Sequence, residues 1–250
     1  MAERTSYPPG TFSWAELATS DADAAKAFYG ELFGWSYDDN PIGDGQVYTM
    51  AQRDGGTAAA LFQTDQPPHW NCYVTVASAD DSAAKAAEHG ATVVAEPFDV
   101  MDVGRMAVFM DPQGAGLAVW EPRASIGATI VNAPGALAWN DLLTPDAAAS
   151  AAFYGSVFGW TTEEIPGAGG YRIIRNGERS NGGMMPAPEG APPAWLPYFG
   201  HEDVDGLVER VPALGGHVLN GPVQVPAGRF AAFADPQGAV FSALTGEYDD

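Results

Sequence analysis

Residues 12–35 read FSWAELATSDADAAKAFYGELFGW, and residues 137–160 return to the same pattern with LAWNDLLTPDAAASAAFYGSVFGW. The aromatic motifs FYG and FGW stand at a constant offset of 125 residues in the two copies. Later in each copy, DPQGA recurs at 111–115 and 235–239, an offset of 124. Because the offset between the two copies changes by only one residue across a whole copy, the repeat indicates two homologous domains in tandem.

Each copy opens with signals for a strand and then a helix. In the first copy the strand passes through Trp14, and the alanine-rich segment after it predicts a helix that Asp21 caps and Gly34 ends. Runs that favour strands follow near 46–51 and 57–63. Another strand, a second helix and three more strands then repeat this order. Each copy therefore contains two strand-helix-strand-strand-strand modules.

These signals predict an α+β fold with two tandem domains. We place an N-terminal tail at 1–10, domains at 11–121 and 136–246, and a linker at 122–135. Since each copy has a full set of elements, we expect each domain to fold around its own core. The two domains should then pair within the chain, which favours a monomer over a homodimer.

Composition excludes several classes of partner. The chain of 250 residues carries 11 Lys and Arg against 32 Asp and Glu, a formal charge of −21, so nucleic acid and anionic membrane surfaces are poor partners. The single cysteine cannot form an internal disulfide, and the N-terminus lacks the apolar stretch of a signal peptide. These features predict a cytoplasmic protein with no membrane span.

Taken in order, the motifs resemble a known family. The paired modules, the helix pattern D-x-x-x-x-x-x-FY-x-x-x-FGW and the terminal DP-x-G are similar to those of the vicinal oxygen chelate superfamily, which includes glyoxalase I, bleomycin-resistance proteins and extradiol dioxygenases. The similarity spans both copies. It implies that the strands of each domain curl into a U-shaped sheet around a cavity lined by the first, fifth and last strands.

The resemblance also implies where metal ligands would lie. The corresponding positions are Trp14, Trp70 or Asn71, and Ala118 in the first copy, and Trp139, Trp195 or Leu196, and Ser242 in the second. None of these side chains forms an ordinary metal site, so we predict no metal and no other cofactor. His69 and Glu121 lie near these positions and leave a shifted site in the first domain as an alternative.

Acids and aromatic residues occupy the predicted cavity instead. Because strand side chains alternate, Glu16 shares a face with Trp14, and Asp141 shares a face with Trp139. These two acids are the candidate catalytic residues. The candidate ligand-binding residues are Trp14, Tyr73, Arg105, Trp120, Trp139, Tyr198 and Arg229. In a purely structural alternative, the tryptophans fill a core and Glu16 forms a buried ion pair with Arg105.

Three functions are compatible with this pattern. The first is a metal-independent, glyoxalase-like protein that binds a small, flat, partly aromatic molecule, such as a secondary metabolite or drug. The second is a metal-independent isomerase, cyclase or other tailoring enzyme that uses a cavity carboxylate as general base and Tyr73 or Tyr198 as acid. The third is a non-catalytic interaction protein whose repeats pair only for stability.

Overall fold

The computed structural model describes residues 2–246 and 248; Met1, in the predicted tail, lies outside them. After a short strand β1 (Ala2–Glu3), the first repeat forms an eight-stranded sheet. Its strands are β2 (Phe12–Thr19), β3 (Ser36–Gly43), β4 (Gln46–Arg53), β5 (Gly56–Gln63), β6 (His69–Thr75), β7 (Thr92–Val100), β8 (Gly104–Met110) and β9 (Gly116–Pro122). They lie in the order β3-β4-β5-β2-β6-β9-β8-β7.

The second repeat forms a sheet with the same topology. Strand β10 (Ile130–Val131) lies within the predicted linker and joins β1 to this sheet. The other strands are β11 (Leu137–Thr144), β12 (Thr161–Glu164), β13 (Arg172–Asn176), β14 (Arg179–Pro186), β15 (Ala194–Gly200), β16 (His217–Val225), β17 (Gly228–Ala234) and β18 (Val240–Gly246). They follow the order β12-β13-β14-β11-β15-β18-β17-β16.

Four helices are found in the described chain: α1 (Ala22–Phe33), α2 (Ala79–Glu88), α3 (Ala147–Phe158) and α4 (Val204–Ala213). The Asp21 side chain accepts from the Ala24 N–H at 3.0 Å, and Gly34 ends α1 in the left-handed region, as the sequence predicts. Asp146 and Gly159 cap α3 in the same way. No helix within residues 2–246 is long and apolar enough to cross a membrane.

Strand β3 was not among the predicted runs. Its sequence SYDDNPIG is mostly polar and almost wholly exposed, and proline and aspartate are poor strand formers. The strand is at the edge of the first sheet, where only one side pairs, so polar side chains and a proline are tolerated. Tertiary position rather than local preference therefore gives this segment its conformation.

The two largest cores each contain residues of both repeats, which argues against the expectation of a separate core in each domain. One core joins α1 to α4 and the second sheet, through Phe28, Tyr29, Leu32, Phe33, Phe199, Leu207 and Phe241. The other joins α3 to α2 and the first sheet, through Phe109, Leu117, Val119, Phe153, Tyr154 and Val157. We call the sheet surface that packs in this interface the helix face.

The repeated tryptophans of the FGW motifs tie the repeats together. Trp35 Nε1 donates to the backbone carbonyl of Gly135 at 2.6 Å, and Trp160 Nε1 donates to that of Gly10 at 2.8 Å. Each glycine lies just before the first long strand of the other repeat. The motif that identifies the fold therefore also docks one repeat on the other.

Candidate ligand-binding site

The opposite surface of each sheet, which we call the acid face, carries one buried carboxylate. On the first sheet Glu16 Oε2 accepts from the Tyr48 hydroxyl at 2.7 Å, and Oε1 accepts from Tyr73 at 2.9 Å and from the Asn71 amide at 3.4 Å. Trp14 Nε1 donates to the Tyr48 oxygen at 3.2 Å. Strands β2, β4 and β6 thus bring one acid, two phenols and one indole together.

The second sheet repeats this network with an aspartate. Asp141 Oδ1 accepts from the Tyr171 hydroxyl and from Trp139 Nε1, both at 2.9 Å. Trp139 Nε1 also lies 3.1 Å from the Tyr171 oxygen. Tyr198 is the register partner of Trp139 on β15, and its hydroxyl lies close enough to Asp141 that each group shifts the pKa of the other. The predicted residues Trp139, Asp141 and Tyr198 are therefore neighbours.

Sequence reasoning missed Tyr48 and Tyr171. They occupy equivalent places in the two networks, but they stand 123 residues apart instead of 125, because the repeats differ in loop length between the helix and this strand. A fixed offset therefore does not align them. The usable signal is a tyrosine in, or directly before, the strand that lies two places from the acid-bearing strand in the order of the sheet. These strands are β4 in the first repeat and β13 in the second.

Burial changes the acid–base properties of both networks. It raises the pKa of Glu16 above its ordinary 4.5, and the hydrogen bonds from Tyr48 and Tyr73 offset part of that rise. Burial likewise raises the pKa of Asp141 above 3.8, against its own hydrogen bonds. The partner phenols also have raised pKa values, first from burial and then from the acid's charge: Tyr48, Tyr73, Tyr171 and Tyr198. The phenols therefore remain donors at neutral pH.

The structure does not bring the predicted arginines to the acids. Arg105 lies on the helix face, where its guanidinium contacts Asp80 at 2.6 Å and Asp99 at 2.8 Å. Arg229 pairs with Asp205 of α4 at 2.8 Å. The glycine before each arginine does not indicate which face of the strand the arginine takes, so its side chain could not be placed from the sequence. Tyrosine hydroxyls, and not guanidinium groups, satisfy the buried acids.

The two acid faces differ in how open they are. On the first sheet Trp14, Tyr73 and Trp120 are only 7%, 4% and 9% exposed, and Trp120 Nε1 is held by the Ser125 carbonyl at 2.9 Å. On the second, Leu244 stands where Trp120 is in the first repeat, and Trp139 and Phe230 are only partly buried. The first face is packed with buried aromatic rings, whereas on the second Trp139 and Phe230 remain partly accessible.

The residues at the implied ligand positions do not fit a divalent metal. Each acid face has one carboxylate, and the side chains around it are indole, phenol, amide, methyl and aliphatic groups. Within residues 2–246 and 248, no three His, Cys, Asp or Glu side chains lie close enough to hold a metal ion. His69 and Glu121 do not converge: His69 is exposed and contacts the Pro67 carbonyl, and Glu121 accepts from the Ala79 N–H at the start of α2.

Comparison with known proteins agrees with the repeated architecture. A family model described as "Glyoxalase-like domain" matches residues 14–120, and one described as "Glyoxalase/Bleomycin resistance protein/Dioxygenase superfamily" matches residues 136–242. A Mycobacterium tuberculosis protein named "Putative glyoxylase CFP32" is 42% identical over 255 residues, covering 98% of each chain. The chain belongs to the glyoxalase/bleomycin resistance protein/dioxygenase superfamily. This is the vicinal oxygen chelate superfamily that the sequence motifs resemble.

Further members of this superfamily match along the whole chain. The "Anthracycline biosynthesis protein DauV" of a Streptomyces species (strain C5) is 32% identical, covering 96% of this chain and 94% of its own. Among solved structures, a Mn(II)-bound glyoxalase from Novosphingobium aromaticivorans has a TM-score of 0.70 at 20% identity, covering 96% of this chain and 84% of its own. The 2,3-dioxygenase LapB from Pseudomonas has a TM-score of 0.65 at 17% identity, covering 96% and 94%. At these identities, the solved structures establish a shared fold.

Proposed function

We propose that this protein binds a flat, partly aromatic organic molecule of secondary metabolism on the acid face of the second repeat, without a metal ion. The observation that carries the proposal is the network around Asp141. A buried acid, two phenols and an indole meet there, and the indole of Trp139 stands at a position that the family resemblance assigns to a metal ligand. Such a surface offers hydrogen bonds to carbonyl or hydroxyl groups and ring faces for stacking.

The second repeat is the better candidate because its rings are accessible. Trp139 and Phe230 are partly buried, and the Tyr198 and Phe230 rings lie 5.7 Å apart at an angle of 55°. A planar ligand can stack on such rings, with each contact contributing about 1 kcal/mol beyond the burial of apolar area. In the first repeat the corresponding space is filled by Trp120.

The names of two relatives support a class of ligand for this proposal. The Streptomyces relatives are named for anthracycline biosynthesis, and anthracyclines contain a planar, hydroxylated ring system. The acid face of the second repeat combines aromatic surfaces with donors and an acceptor, which suits rings of that kind. We therefore choose 1,4-dihydroxyanthraquinone as the probe for this site.

The test is a fluorescence titration of the full-length protein with this probe, before and after EDTA treatment. Stacking on the indole should quench tryptophan fluorescence, and EDTA should leave the dissociation constant unchanged. Asp141→Asn and Trp139→Phe should each weaken binding by about tenfold, the equivalent of about 1.4 kcal/mol.

The first repeat supplies matched controls. Glu16→Gln and Trp14→Phe make the same chemical changes on the packed face, and binding should stay within about twofold of that of the unmodified protein. If these controls weakened binding as much as the second-repeat variants, the site would be misplaced. If EDTA abolished binding, the metal-free proposal would be wrong.

The raised pKa of Asp141 favours one second candidate, a metal-independent acid–base enzyme. A carboxylate with a pKa moved toward neutrality can take a proton from carbon next to a carbonyl, and a phenol such as Tyr198 can donate to the carbonyl oxygen. Incubation of a polyketide ketone with the protein in D2O tests this chemistry. Deuterium incorporation that Asp141→Asn abolishes would support an isomerase or cyclase, and absence of exchange would leave a binding protein.

A further inference from the structure

A cleft of about 430 Å³ lies between the N-terminal tail, the start of β11 and the β13–β14 hairpin, and its lining shares only Trp139 with the Asp141 network of the acid face. Tyr7, Phe12 and Trp139 contribute aromatic surface to its lining. Arg4, Arg175 and Arg179 contribute guanidinium groups. The cleft thus combines aromatic surface with positive charge.

The cleft exists because the repeats depart from their symmetry at this point. In the first repeat, the linker fills the corresponding space: Ala128 N–H donates to the Ser13 carbonyl at 2.8 Å, and Thr129 N–H donates to that of Thr57 at 2.9 Å. The offset of 125 pairs these residues with Glu3 and Arg4. Those tail residues instead run along β10, with Glu3 opposite Ile130, and the space beside β11 stays open.

The charge in the cleft is unusual for this protein. The formal charge of the chain is −21, and eight of its 11 Lys and Arg side chains make ion pairs within the described residues. The three that make none there are Arg4, Lys85 and Arg179, so two of them line this cleft. Among its lining residues the only acid is Glu178, which is exposed.

The neighbouring polar groups are already ordered. Arg175 donates to the Ser180 hydroxyl and to Glu163, both at 3.2 Å, which fixes its guanidinium at the hairpin. Asn181 holds the tail in place by donating to the Gly10 carbonyl at 2.9 Å. Asn140 lines the cleft, and its Oδ1 is buried without a hydrogen-bond partner among the described residues, so a ligand hydroxyl could satisfy it.

We propose that this cleft is a second binding site, for a small hydroxylated aromatic oxyanion. Guanidinium groups bind carboxylates and phosphates through paired hydrogen bonds, and two arginines without a protein counter-ion supply that capacity here. The aromatic lining accepts the ring, and Asn140 accepts from its hydroxyl. A carboxylic acid and a phosphate ester share this chemistry, so the test distinguishes the two sources.

The experiment is calorimetric titration of the full chain with 3-hydroxy-2-naphthoate, with its neutral amide 3-hydroxy-2-naphthamide, and with 2-naphthyl phosphate. At least one anion should bind, and the neutral amide should bind at least tenfold more weakly than the tighter of the two anions. The anion that binds more tightly identifies the ligand class. If neither anion binds, or if the amide binds as tightly as the tighter anion, the proposal is overturned.

Charge variants locate the site. The double variant Arg4→Gln/Arg179→Gln should weaken anion binding at least tenfold and remove most of its salt dependence. Neither arginine has an ion pair to lose within the described residues, so the melting temperature should hold. Arg172→Gln is the matched control, because Arg172 lies on β13 but pairs with Glu164 outside the cleft. Equal weakening in the control, or unchanged binding in the double variant, would overturn the proposal.

The two proposed sites can fail separately. The acid face is probed with the uncharged dihydroxyanthraquinone and with changes at Asp141, whereas the cleft is probed with anions and with changes at Arg4 and Arg179. Loss of one kind of binding with the other retained would identify which proposal is wrong.

Discussion

The hydroxyl of Tyr29 donates a 3.0 Å hydrogen bond to Oδ2 of Asp235, which lies 206 residues further along the chain. The symmetric bond joins Tyr154 to Asp111 at 2.9 Å. These residues are the tyrosine of the FYG motif and the aspartate of the DPQGA motif. The two most conspicuous repeated motifs therefore meet across the interface between the repeats. The FYG motif of each repeat contacts the DPQGA motif of the other repeat.

We expect Tyr29→Phe to destabilise the whole protein. The change leaves a buried Asp235 oxygen and the indole N–H of Trp70 without their shared partner, which costs about 1–3 kcal/mol in the free energy of unfolding. Urea unfolding measures this. Tyr37→Phe is the matched control, because the buried Tyr37 hydroxyl has no partner among the described residues, and its removal should be neutral or stabilising. Equal losses in both variants would contradict a specific role for the interface bond.

The buried acids predict a particular dependence of stability on pH. Because folding raises the pKa of Glu16 above 4.5, the folded protein binds more protons than the unfolded chain above that pH. Stability from this group is therefore present at low pH and is lost as pH rises through the folded-state pKa. Glu16→Gln, which cannot ionise, should lack this fall in urea unfolding measured from pH 4 to 8.

Asp39 provides a control of opposite sign for the pH measurement. Hydrogen bonds from Lys26 and Thr49 lower its pKa below 3.8, so its contribution is present above that value and is lost as pH falls. Asp39→Asn should thus lower stability above pH 5 by a constant amount, with no change of slope there, and this deficit should shrink as pH falls through the acidic limb. If Glu16→Gln showed the same pattern as Asp39→Asn, folding would not raise the pKa of the buried Glu16 carboxyl group.

The shared cores predict the behaviour of a divided chain. Chain breakage at the exposed position after Ala124 should give halves that lack a stable fold when separate, because each then exposes an entire helix face. Mixed halves should recover a one-to-one complex with cooperative unfolding, which sedimentation and circular dichroism would detect. A separate half that is monomeric and unfolds cooperatively would show that its own residues suffice for a core.

We expect no stoichiometric transition metal in protein purified without chelators. The donors at the implied positions are indole, amide, hydroxyl and aliphatic side chains with a single carboxylate on each face, so binding should be weak. Elemental analysis should find well under one zinc, iron, nickel or manganese per chain, and EDTA should not shift the melting temperature. About one metal per domain would restore a metal-dependent glyoxalase or dioxygenase mechanism.

The close approach of Trp120 to Gly104 allows the packing of the first acid face to be tested by mutation. A Cβ atom added there would overlap the Trp120 indole, so Gly104→Ala should displace that ring and cost about 1–3 kcal/mol of stability. Gly30→Ala is the contrasting change: a Cβ atom in this helix would meet only ordinary contacts at 3.5 Å or more, and alanine favours the helix by up to about 1 kcal/mol. Thermal unfolding compares the two. A stable Gly104→Ala protein would mean that the first acid face has room for a ligand.

Much of the architecture could be predicted from local sequence. The repeat, the capped helices and the acids on the faces of Trp14 and Trp139 follow from spacing, because strand and helix periods place side chains within a few residues of one another. Two errors have a common cause. The face taken by Arg105 and the conformation of the edge strand β3 depend on neighbours distant in sequence, to which local pattern is insensitive.

The sequence by itself determined that the chain folds as two related domains, and it placed one acid beside one tryptophan in each. Only the tertiary structure decided that the cores are shared, that Tyr48 and Tyr171 complete the acid networks, and that a cleft opens beside one repeat alone. The physical reason is that repeats of similar sequence form similar strands and helices, whereas packing between them depends on the path of the connecting segments. The tail and the linker occupy equivalent positions in sequence but pack differently.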